Sequence, residues 1–85
     1  MAVGKFRKRP LEVEALLWTG HNTADMEAFL ESPRNGYFAG NCLLRIQTLE
    51  GTMTCLPGNW VVKGIRGEYY PCQAGVFDQT YEAVE

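Results

Sequence analysis

The sequence predicts an α+β domain: a mostly antiparallel sheet of five to six strands with one short helix packed on it, in the order β-α-β-β-β-β. Three observations predict it. Leu11, Val13, Ala15 and Leu17 alternate with Glu12, Glu14 and Leu16, which is the period of a strand. One later stretch has helical spacing, with Met26, Phe29 and Leu30 at i, i+3 and i+4. Everything beyond Cys42 is cut by Gly, Pro and Asn into short alternating runs, as antiparallel hairpins require.

The first strand is expected over residues 5–19. Pro10 cannot donate to a ladder and suits a strand start or an edge. Gly20 and His21 close the strand. Asn22, Thr23 and Asp25 then supply a helix cap and a first-turn acid, and a helix is expected over residues 24–31. Ser32, Pro33, Arg34, Asn35 and Gly36 stop it. A helix this short must dock on a sheet to be stable. Residues 37–41 read as a loop with a short strand around Tyr37 and Phe38.

Strands follow at residues 42–49 and 52–56 around a Glu50-Gly51 turn. Pairing Leu49 with Thr52 sets Ile46 opposite Cys55 and Thr48 opposite Met53, with Cys55 inward. Pro57-Gly58-Asn59 makes a second turn. Residues 60–63 and 68–72 form a hairpin around the third turn, at residues 64–67. Residues 74–80 read as a short helical turn with Phe77 inward. Residues 81–84 alternate and suit a closing edge strand beside the first.

Eighty-five residues make one domain, residues 1–85. A chain of this length buries only roughly 60–65% of its unfolded surface. Hydrophobic residues make up 46% of it, enough for a genuine core. Small domains are often completed by a second subunit, so homodimerisation is expected. No run of about 18 apolar residues is present, and no secretory signal, which points to a cytoplasmic protein.

The net charge of −2 does not favour a nucleic-acid binder. Lys5, Arg7, Lys8 and Arg9 concentrate basic charge at the start of the chain. Such a cluster contacts phosphates or guards an edge strand. Cys42, Cys55 and Cys72 lack the short spacing of a zinc knuckle, and reduced buried thiols are expected. His21 is the single histidine, too little for a triad or a histidine metal site. It reads as a solvated loop residue or as a pocket residue near a helix N-terminus. Glu12 and Glu14 read as a solvated acidic strip. Gly58, Gly64 and Gly67 match no phosphate loop. No cofactor and no metal is expected.

The aromatic residues are the strongest site candidates. Trp60, Tyr69 and Tyr70 fall on one expected hairpin, and Trp18 is able to join them. Such a cluster stacks on a base, docks a protein, or fills a core. The candidate ligand-binding set is therefore Trp18, Trp60, Tyr69, Tyr70, His21, Arg7 and Arg9.

The two ends of the chain also resemble a known group of proteins. KFRKRPLEVEALLWTG at residues 5–20 is similar to the opening of a family of small bacteriophage and prophage proteins. Residues 48–84 resemble the same family's Pro-Gly-Asp-Trp/Tyr turn, its Gly-Glu-x-Tyr-Pro hairpin and its Phe-x-x-Thr-Tyr-Glu ending. Residues 21–41 show no such likeness. Asn59 stands where the family usually has Asp, and an Asx turn accepts either. The resemblance implies phage or prophage origin and brings no catalytic residue with it.

Together these readings rank binding ahead of catalysis. The leading expectation is a non-enzymatic phage accessory protein in the host cytosol. It binds a host protein or sequesters a small, nucleotide-like ligand, and so counters host defence. The alternatives are a small enzyme using Cys72 or His21, a weak nucleic-acid binder and a virion-assembly component.

Overall fold

The computed structural model describes residues 3–5, 11–40 and 43–84. Its elements are β1 (Glu14–Leu17), α1 (Thr23–Leu30), β2 (Gly36–Phe38), β3 (Leu44–Thr48), β4 (Gly51–Cys55), β5 (Trp60–Lys63), β6 (Tyr69–Cys72) and α2 (Ala74–Thr80). The class is α+β and every strand pairing is antiparallel. The strands form two sheets rather than the expected one, in the orders β1-β5-β6 and β2-β3-β4.

The split follows from the turn after β4. Pro57 has no N–H to give a ladder. The two residues after it are taken by the first sheet: Gly58 N–H donates to Trp18 O at 2.7 Å, and Trp18 N–H donates to Asn59 O at 2.9 Å. The chain therefore enters β5 alongside β1, with Leu17 opposite Trp60 and Ala15 opposite Val62. The first strand is shorter than expected. Pairing begins at Glu14, and Pro10 lies outside the described residues.

The β3–β4 register also differs from expectation. Ile46 faces Met53, Leu44 faces Cys55 and Thr48 faces Gly51. The turn residues are Leu49 and Glu50, and Gly51 opens β4 at φ 119°, a value that favours glycine. Measured against the expected pairing, the partner strand is displaced by two residues. A two-residue slip keeps each side chain on its face, so Cys55 still points inward and is enclosed.

At its N-terminus α1 departs from its expected cap. Asn22 occupies the N-cap position but makes no side-chain cap bond. Its amide turns back to close β1 instead. Oδ1 accepts from Thr19 N–H at 3.0 Å and from Thr19 Oγ1 at 2.9 Å, and Nδ2 donates to Leu17 O at 2.8 Å. At the other end of the chain, α2 is a true second helix, where only a turn was expected. Residues 81–84 form no strand. Tyr81 is held through its side chain, with its ring against Phe77 and its hydroxyl 3.0 Å from that of Tyr70.

One interior serves both sheets. Trp18, Met26, Leu30, Leu44, Ile46, Cys55, Val61 and Tyr69 are enclosed together, with Leu16, Phe29 and Phe38 packed against them. β5 is buried on both faces, because the adjacent Val61 and Val62 are each 0% exposed. On the Val62 face Phe77 of α2 stacks on Trp60, with centroids 4.2 Å apart and planes 8° from parallel.

Two consequences for stability follow. A Cβ on Gly36 would meet Arg45 O at 2.9 Å, Leu30 Cδ1 at 3.0 Å and Ile46 Cδ1 at 3.1 Å, and the first of these is backbone. Gly36→Ala is expected to cost about 1–3 kcal/mol. Thermal unfolding should register a fall of about 4–8 °C per kcal/mol, and an unchanged midpoint would refute the tight approach. Asn59 Oδ1 accepts from Ala74 N–H at 3.2 Å, at the start of α2. A carboxylate fills that role equally well and favours a helix N-terminus. Asn59→Asp is therefore expected to retain the fold and gain about 0.3–1 kcal/mol in urea unfolding at low salt.

Candidate functional site

The parity of β6 separates the aromatic residues that the sequence groups together. Tyr69 and Tyr70 are consecutive and so point to opposite sides of the sheet. Tyr69 faces the interior, and its hydroxyl donates to Phe29 O at 2.9 Å and to Glu31 Oε2 at 3.4 Å. Burial pushes its pKa up. Lys63 lies over its ring at 5.8 Å and reaches Glu31 Oε2 at 3.5 Å. The Tyr69 phenol and then Glu31 raise the Lys63 pKa. Glu31 is the one non-glycine among the described residues with positive φ, at 69°. That strained backbone ends α1 and aims the carboxylate at Lys63 and Tyr69.

Tyr70 and Trp60 share the opposite side, under α2, where both are half-buried. Burial and then the bond to Tyr81 raise the Tyr70 phenol. Trp18 belongs to neither group. It is fully enclosed, with its ring 5.2 Å from that of Phe38, and its Nε1 finds no acceptor among the described residues. His21 is exposed on the β1–α1 loop, where its backbone N–H donates to Thr19 Oγ1 at 3.2 Å. Among the described residues its ring makes no hydrogen bond. Arg7, Lys8, Arg9 and Cys42 lie outside the described residues.

Both described thiols are shifted away from the reactive thiolate. Burial pushes Cys55 up to about 11, and its Sγ lies 3.8 Å from Trp60 O. Cys72 is also raised by burial. Among the described residues no group of three or more His, Cys, Asp or Glu is placed to hold a metal ion. No helix among them is long and apolar enough to cross a membrane.

Surface depressions lie at the edges of the fold. One of about 460 Å³ runs from Glu27 and Glu31 to Tyr37 and Phe38. Another, of about 490 Å³, joins Glu12 and Glu14 to Lys63 and Gly64. A third, of about 420 Å³, opens between the sheets, where Leu49, Glu50 and Met53 face Glu68, Tyr70 and Pro71.

A feature that sequence reasoning missed is the outer face of the second sheet. Tyr37, Arg45 and Thr54 form one row across three strands, and Gln47 and Thr52 form the next. Leu43 and Leu56 flank β3 and β4 at their ends. Tyr37 is 41% exposed and Leu56 56%. Arg45 is half-buried, meets no carboxylate among the described residues, and leaves its Nε unpaired. The signal was available: Leu44, Ile46 and Thr48 alternate with Arg45 and Gln47 along the strand, so the two sets face opposite sides.

Comparison with protein-family models, with curated proteins and with solved structures finds no match to this chain.

The Cys55 shift has a pH signature. The unfolded thiol ionises near its ordinary 9.0, whereas the folded one stays protonated to about 11. Burial thus favours the fold fully below pH 9 and loses that contribution as pH rises towards 11. The wild type minus Cys55→Ala difference in unfolding free energy should shrink by about 2 kcal/mol between pH 8 and pH 11. A difference independent of pH would show that the thiol ionises freely in the folded protein.

Proposed function

We propose that the protein is a non-enzymatic accessory protein of phage origin that docks on a host protein in the host cytosol and thereby counters host defence. The docking surface is the outer face of the β2-β3-β4 sheet. The observation that carries this reading is the Tyr37–Arg45–Thr54 row at the centre of that face, with Tyr37 and Thr54 exposed, Arg45 half-buried between them, and Leu43 and Leu56 at the margin. Tyr and Arg at the centre of a patch are the residues that dominate measured interface energies. A rigid antiparallel sheet presents them at little entropic cost.

Two observations support protein docking over sequestering a nucleotide-like ligand. The depression that includes Tyr70 is lined by Glu50 and Glu68, which repel a phosphate. Trp18 and Tyr69 are enclosed, so neither offers a face for a base to stack on. The raised thiols weigh against a cysteine nucleophile.

The test compares capture of host proteins from a bacterial lysate by wild type, Tyr37→Ala and Arg45→Glu, with Trp60→Ala in parallel. Each substitution on the outer face should weaken capture of a specific partner by at least about tenfold without lowering the melting temperature. Capture that ignores both and depends on Trp60 would place the site under α2 instead. A thermal shift with host nucleotides and no captured protein would favour the small-ligand reading.

A further inference from the structure

Each sheet has two outer edges, and three of the four are blunted. β6 carries Pro71. Gly64 N–H donates to Glu68 O at 2.7 Å, so in this register the hydrogen-bonded pairs of β5 and β6 continue at Val62 with Tyr70 and Trp60 with Cys72. Pro71 therefore sits where an N–H would point away from β5, and the outer edge of β6 lacks that donor. β1 is four residues long and begins with the exposed Glu14. β2 is only three residues long. Short strands, prolines and charges are the usual means of preventing edge pairing.

β4 has none of these. The same alternation fixes its free groups. Gln47 N–H donates to Asn35 O at 2.9 Å, and Ala39 N–H donates to Leu43 O at 2.8 Å. The odd residues of β3 thus turn their backbone groups to β2, and the even ones turn theirs to β4. Their partners Gly51, Met53 and Cys55 are used in that ladder. Thr52 and Thr54 are left with N–H and C=O pointing outward. Both are exposed, and no described strand pairs with them. The strand Gly51-Thr52-Met53-Thr54-Cys55 contains no charge and no proline.

We propose that this edge pairs with the same edge of a second copy of the chain, antiparallel, about a two-fold axis at Met53. The strand is symmetric about that residue, with one threonine on each side. In the dimer Thr52 bonds Thr54 of the second copy and Thr54 bonds its Thr52, so both donors and both acceptors are satisfied. Threonine meets threonine across the seam, a favourable cross-strand pair. With no charge on the strand, opposing like with like carries no repulsion, and there is nothing for a charged foreign strand to complement. Met53, 46% exposed, meets Met53 of the second copy in a non-hydrogen-bonded pair, where side chains approach most closely. The two β2-β3-β4 sheets become one sheet of twice the width.

The test uses the purified full chain, so it is separate from host capture, and either proposal can fail without the other. Light scattering after gel filtration should give twice the chain mass, and Thr52→Lys with Thr54→Lys should weaken the dimer at least a hundredfold by opposing lysines. Should that variant fail to fold, cross-linking decides. Met53→Cys in a background of Cys42→Ser and Cys72→Ser should form a disulfide-linked dimer on mild oxidation, because non-hydrogen-bonded partners lie at about 4.5 Å between Cα atoms, within disulfide reach. Ile65→Cys in the same background, on the exposed β5–β6 turn, should not. A wild type monomeric at millimolar concentration overturns the proposal. So does a dimer indifferent to both lysines, or cross-linking at position 65 as efficient as at position 53.

Discussion

Two sheets, each too small to be stable alone, must share one interior, and Trp18 is the residue that joins them. A sheet of three short strands stands only when its apolar face is covered. Trp18 leaves the end of β1 and fixes three parts of the chain at once. Its backbone accepts from Gly58 and donates to Asn59 in the β4–β5 turn, and its ring packs on Phe38 of β2. Its indole N–H has no partner among the described residues, and a buried donor left unpaired costs about 1–3 kcal/mol. Enclosing a side chain that removes about 150–250 Å² from water contributes roughly 4–6 kcal/mol and outweighs it.

That shared interior decides where the polar chemistry is able to go. Tyr69 fills the core and keeps its hydroxyl satisfied at the end of α1, where Glu31 takes a strained backbone to meet it and Lys63. Cys55 is enclosed as a small apolar side chain. Trp60, Val62, Tyr70, Phe77 and Tyr81 make a second, thinner apolar layer between β5, β6 and α2. The residues that looked most able to recognise a ligand are thereby occupied in holding a short chain together. Among the described residues, no helix covers the outer face of the second sheet.

Local features were legible in the sequence, and long-range ones were not. The stripe of Met26, Phe29 and Leu30 located α1, and two of its three members are enclosed. The short strand at Tyr37 and Phe38 and the β5–β6 hairpin lie where turn residues mark them, while the β3–β4 hairpin is present with its turn one residue earlier than expected. The inward side of Cys55 survived an error in register, because a slip of two residues preserves face. The division into two sheets was not visible. It depends on hydrogen bonds between Trp18 and residues 58 and 59, some forty positions on, and no local pattern encodes them. Asn22 misled for a similar reason: its type suits a helix cap, but the nearby end of β1 competes for its amide. The outer face around Arg45 carries no motif of its own, and only the alternation along β3 marks it.

The edges connect stability to recognition. A sheet that ends in free backbone groups either blunts them or uses them. Here the first sheet is blunted on both sides, by Pro71 and by the short acidic β1, and its far face lies under α2. The second sheet is blunted only at β2. Its remaining edge and its outer face are contiguous, since Thr52 and Thr54 belong to both. Any strand added to β4 therefore widens the surface that carries Tyr37 and Arg45 without displacing it. The backbone of β4 and the side chains of β2 and β3 are therefore presented in different directions from one sheet, the first at its edge and the second on its face.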